Sequence, residues 1–175
     1  MVYQMQEQSD LKVEIIMKPI AVSAIAVGIW LISPVPVAAQ DARETLNACL
    51  SERIETEAQL LDCVSAAIEP CLSEPDDMNA VAALCFREAR SQLDAGISAG
   101  MSDLRASASD EISTLVSIEL KYDILSGLLQ CDRMEELAMA LSEYDAEAIQ
   151  RQKAQCQATT SGLAYARLTL RGREN

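Results

Sequence analysis

Six cysteines and no histidine constrain this chain more than any other feature. Four of them, Cys49, Cys63, Cys71 and Cys85, form two pairs with the same fourteen-residue interval about a short gap, and Cys131 and Cys156 follow. Without histidine, a zinc site would need four thiolates drawn from distant positions. With no C-x-x-C spacing there is no dithiol redox motif. An even set of cysteines in an exported chain reads instead as a disulfide framework.

Export is expected from the first forty residues. "MKPIAVSAIAVGIWLISPVPVAAQD" opens at Met17 with one positive charge, continues as an apolar run from Ile20 to Ile32, and is broken by Pro34 and Pro36. Small residues at Val37-Ala38-Ala39 suit a signal peptidase, so residues 17–39 read as a signal peptide cut after Ala39. The run is short of the ~20 apolar residues that span a bilayer, which disfavours a stable membrane anchor. Residues 1–16 carry Glu7, Asp10 and Glu14, unlike a basic leader, and translation is expected to start at Met17. Residues 40–175 are then one domain, periplasmic or secreted, with all six cysteines retained.

Charge narrows the partners. The chain has 27 acidic and 14 basic residues, and 24 and 12 remain after Ala39, a net charge of about −12. Such a surface repels phosphate backbones, so no nucleic acid is expected as a partner. It steers cationic proteins toward it.

Alanine, leucine, glutamate and glutamine dominate the rest, and these are strong helix formers. Leu46, Leu50, Ile54, Leu61, Val64 and Ile68 predict a first amphipathic helix ended by Pro70. "SEPDD" reads as a loop in which Asp76 or Asp77 caps the next helix. Val81, Leu84, Cys85, Leu93, Ile97, Met101 and Leu104 mark a second helix, with a break near Ser107–Ser109. Ile112, Leu115, Val116, Tyr122, Leu125 and Leu129 mark a third. Arg133 to Arg171 fits one or two more, with Leu137, Leu141, Tyr144, Ile149, Leu163, Ala166 and Leu170 inward. The fold class is all-α: a small helical bundle built on a disulfide-stapled antiparallel helical hairpin.

The fourteen-residue interval is almost four helical turns, so each pair lies near one face of its segment. In an antiparallel hairpin, level residues have numbers with a constant sum. Cys49 with Cys85 and Cys63 with Cys71 share that sum, which predicts nested rungs with the reversal between 64 and 70. Cys131 is expected to pair with Cys156. The competing pairing, Cys49–Cys63 with Cys71–Cys85, requires a bend inside each segment.

The layout resembles the LprI-type lysozyme-inhibitor family of small exported cysteine-bearing helical domains. The similarity rests on "CFRE" at Cys85–Glu88, "LDAGI" at Leu93–Ile97, the later Cys131 and Cys156, and the closing "LAYARLTLR" with Ala164, Arg167 and Leu170. It spans roughly residues 44–172. The family's Trp-x-x-aromatic-Arg-Asp motif before the fifth cysteine is replaced here by Asp123, Ser126, Gly127 and Leu128. The resemblance implies non-covalent inhibition of lysozyme, a cationic protein.

Candidate contact residues are the acidic tip Glu74, Asp76 and Asp77 and the cluster Asp132, Glu135 and Glu136. The alternative is an envelope structural or folding-assistance module that binds apolar partners through helix grooves. An enzyme is disfavoured: without histidine there is no Ser-His-Asp arrangement, and no Gly-rich phosphate loop accompanies the carboxylates. No cofactor or metal is expected.

Overall fold

The computed structural model describes residues 41–174, apart from Arg53, Glu55 and residues 142–144. The expected leader (residues 1–16 and 17–39) and Tyr144 lie outside these. Five helices and no strands occur among the described residues: α1 (Ala42–Leu50), α2 (Glu57–Leu72), α3 (Asn79–Ser107), α4 (Asp110–Leu141) and α5 (Ala146–Glu174). The all-α class is as expected. None of the described helices is long and apolar enough to cross a membrane.

The first expected helix is two. Asp41 caps α1 by accepting from the Arg43 N–H at 2.9 Å. The chain leaves α1 at Ser51 and re-enters a helix at Thr56, where a capping box forms: Thr56 Oγ1 accepts from Gln59 N–H, and Gln59 Oε1 accepts from Thr56 N–H. These reciprocal bonds satisfy two of the orphan donors that every helix start exposes. At the other end, α2 runs through Pro70 to Leu72. Proline is tolerated there because it forfeits one hydrogen bond in the last turn and its ring faces solvent. The reversal therefore follows at Ser73–Met78, beyond the expected 64–70. Neither Asp76 nor Asp77 caps α3, whose N-cap is Met78 with no side-chain bond.

This relocation overturns the nested disulfides. The bridges are Cys49–Cys63, Cys71–Cys85 and Cys131–Cys156, with Cα–Cα distances of 5.6, 5.4 and 5.6 Å. Cys63 and Cys71 share one unbroken helix, so they cannot reach each other. Cys63 ties α2 back to α1, and Cys71 ties it forward to α3. Each bridge spans its own turn. Thr56 lies midway between Cys49 and Cys63, and Met78 midway between Cys71 and Cys85. Three disulfides and no free cysteine among the described residues fit an oxidising, exported environment.

The helices alternate in direction about α5, which touches all four others. Arg90 donates to Gln157, and an added Cβ at Gly96 or Gly100 would crowd Tyr165 or Leu168, so α3 and α5 run parallel. Cys131–Cys156 and the Arg167–Asp123 ion pair set α4 antiparallel to α5. Small residues make the central position of α5 possible: Ala154, Ala158, Ser161, Gly162, Ala164 and Ala166 are buried. The larger core side chains are Phe86, Leu46, Leu50, Leu93 and Val64.

Several expected core residues face solvent. Leu61, Val81 and Leu84 are exposed, as are Leu115, Tyr122, Leu125, Leu129, Leu137 and Leu141 on α4. On α4 the cause is that both faces are apolar. Val116, Cys131 and Ala138 are buried and Leu120 and Ile124 half-buried on the inner face, while the leucine stripe runs along the outer one. Periodicity finds both faces and cannot say which turns inward. Ile149 and Ala166 are buried as expected, and Leu163 and Leu170 half-buried.

Candidate functional site

The two acidic groups named from the sequence both sit beside the N-terminal half of α5, where Arg151 and Lys153 organise them. Two positions apart on a helix, these cations point to opposite sides.

Arg151 turns to the α2–α3 loop. Its guanidinium donates to the carbonyl oxygens of Glu74 (2.9 Å) and Pro75 (3.2 Å) and lies 3.6 Å from the Asp76 carboxylate. Asn79 Oδ1, at 3.4 Å, completes the set. The backbone of the acidic tip is thus pinned to α5, while the Asp76 and Asp77 carboxylates stand in solvent. The sequence could not show this clamp, because Arg151 lies 77 positions from Glu74.

Lys153 turns to α4. Its ammonium pairs with Glu135 at 2.5 Å and Asp132 at 3.1 Å, and Glu135 also accepts from Gln150 Nε2 at 2.9 Å. The hydrogen bond that Lys153 donates to Glu135, then that to Asp132, raises the Lys153 pKa above its ordinary value, against the cost of burial. Glu135 is largely buried in this network and serves as its anchor. Asp132 and Glu136 remain exposed, one turn apart. So the structure keeps Asp76, Asp77, Asp132 and Glu136 available, with Asp145 and Glu147 exposed at the start of α5 near by, and assigns Glu135 and the Glu74 backbone to support.

A second feature was not legible in the sequence. A cleft of about 490 Å³ opens between the start of α2, the first half of α4 and the end of α5. Its walls include Ile54, Leu60, Val116, Leu120 and Leu168, and Arg167 lies at its rim between Glu57 and Asp123. Burial disfavours the guanidinium charge, but the hydrogen bond that Arg167 donates to Glu57 and the two nearby carboxylates outweigh it and raise the Arg167 pKa further. Arg167 is therefore cationic at any working pH and spends its charge within the fold.

Among the described residues no group of three or more Cys, Asp or Glu side chains is placed to hold a metal ion. Carboxylates held by cations on a rigid helical frame can bind a positively charged surface. Compared with models of known protein families, with curated proteins and with solved structures, the chain matches none.

Proposed function

We propose that this chain is an exported binding protein that engages a cationic protein, lysozyme being the leading partner, by non-covalent contact and without chemistry of its own. The observation that carries the reading is the preorganised acidic end: four exposed carboxylates on the α2–α3 loop and α4, with Arg151 fixing the loop at Asp76 and Lys153 fixing α4 at Asp132 and Glu135. Preorganisation lowers the ordering cost of binding, and complementary charge speeds encounter. The cysteine order and closing helix that resemble the LprI-type family support lysozyme as the partner. The leader at residues 17–39 supports delivery to the periplasm or medium. Asp123, which stands where that family has tryptophan, pairs here with Arg167.

The test is a cell-wall lysis assay with several lysozyme types at low and physiological salt. Saturable inhibition near one-to-one, persisting at physiological salt, is expected. Reversing charge at Asp76, Asp77 and Asp132 together is expected to weaken it by about tenfold or more. Loss of inhibition at physiological salt would reduce the effect to generic attraction, and no inhibition of any type would overturn the reading. A second reading, folding assistance through apolar grooves, is favoured by the leucine-walled cleft between α2, α4 and α5. It predicts binding that salt leaves nearly unchanged.

A further inference from the structure

The outer face of α4 between Leu115 and Leu129 is exposed to solvent, and its pattern is specific. Leu115, Ile118, Tyr122, Leu125 and Leu129 follow one another at intervals of three, four, three and four, the spacing of a coiled-coil seam. Each is 45–67% exposed. Together they leave on the order of 500 Å² of mostly apolar side chain in solvent, at the top of the range for the largest patch on a monomer. With their flanking residues they approach the roughly 800 Å² per partner of a standard stable interface.

Charge argues against a cationic occupant. Between residues 112 and 131 the charged residues are Glu119, Lys121 and Asp123. Glu119 and Asp123 pair with Arg171 and Arg167 of α5. In a chain of net charge −13, this face offers almost nothing for a positive surface to read.

The stripe is also symmetric about its own centre. Leu115 and Leu129 lie seven positions either side of Tyr122, and Ile118 and Leu125 lie four and three. Beyond them Glu111 and Arg133 lie eleven positions either side. The step of 22 positions from Glu111 to Arg133 makes about six turns, so both fall on the outer face. Neither is in an ion pair among the described residues. A two-fold interface requires a self-complementary surface, and this one is complementary only when two copies run antiparallel. Tyr122 then meets the partner's Tyr122, Leu115 the partner's Leu129, and Glu111 the partner's Arg133. Run parallel, the ends would set Glu111 against the partner's Glu111, like against like.

We propose that the outer face of α4 is a homodimer interface, formed by antiparallel packing of two α4 helices about Tyr122. Protein expressed from the full 175-residue sequence and purified with its disulfides intact is the material for the test. Sedimentation equilibrium to about 200 μM is expected to show reversible passage from monomer to dimer mass, with Kd in the micromolar range. Tyr122→Glu, which brings two carboxylates together at the centre, is expected to give monomer throughout. Its helical circular dichroism should stay unchanged, and so should its Tm when both proteins are compared well below Kd, because the side chain touches solvent and only the dimer adds stability. Glu111→Arg is expected to weaken the dimer by about tenfold, and Glu111→Arg with Arg133→Glu to restore it. Monomer mass for the unaltered protein at every concentration would overturn the proposal, as would a dimer indifferent to Tyr122→Glu. A monomer whose Tyr122 face binds an apolar dye would assign that face to a different protein and also overturn it. Failure of the double charge swap to restore association would overturn the antiparallel arrangement.

Discussion

Gly162 sits where α5 crosses α2, and an added Cβ there would stand 2.6 Å from Val64 Cγ1. Val64 is fully buried and its branched side chain has little rotamer freedom, so it cannot step aside. Gly162→Ala is expected to cost about 1–3 kcal/mol despite alanine's better helix propensity, read as a lowered midpoint in urea unfolding. Gly172→Ala, which meets open space, is the control and should be neutral or slightly stabilising. A glycine in a helical pattern is easy to see, but the valine that demands it is 98 positions away and invisible to local reasoning. Lys153 gives a pH test. Its folded pKa is raised above the ordinary 10.5 by Glu135 and Asp132. Its contribution is therefore complete below 10.5 and fades as pH climbs through the raised value. Lys153→Gln is expected to cost about 1 kcal/mol near neutral pH. That deficit should shrink when the same unfolding curves are taken well above pH 10.5.

The helix boundaries divide into those the sequence carries and those it hides. The break at Ser107–Ser109 falls between α3 and α4 as expected, because "SAS" supplies local competition for the backbone. The break at Ser51–Thr56 was missed although its signal was present. Thr56-Glu57-Ala58-Gln59 is a capping-box sequence, and a seven-residue step from Ile54 to Leu61 passed for continuous periodicity. Pro70 misled in the opposite sense, since proline ends helices in general but sits harmlessly in an exposed final turn. Those two readings together moved the turn and hence the disulfides. A digest of the unreduced protein should yield Cys49–Cys63, Cys71–Cys85 and Cys131–Cys156 as the linked peptides. Replacing Cys71 and Cys85 by alanine should destabilise by about 3 kcal/mol, the chain-entropy value for a fifteen-residue loop, read from urea unfolding. A Cys49–Cys85 peptide in the digest would restore the nested hairpin.

The five helices divide their surface between two kinds of contact. The end of the bundle around the α2–α3 loop and the start of α5 displays carboxylates, while the outer face of α4 from Leu115 to Leu129 is apolar and nearly uncharged. Composition showed the acidic excess, but not its fixing by Arg151 and Lys153. Each of these finds its carboxylates on another element, and only the tertiary fold brings them level. The same limit applied to α4, where two apolar faces compete for one core. The three disulfides have a consequence in time as well as in space. Each joins a cysteine to the next one along the chain, first to second, third to fourth and fifth to sixth. A chain that enters an oxidising compartment N-terminus first presents each thiol's correct mate before any later competitor has emerged. Indiscriminate oxidation in order of arrival would therefore yield the native set, and maturation is expected to depend little on an isomerase.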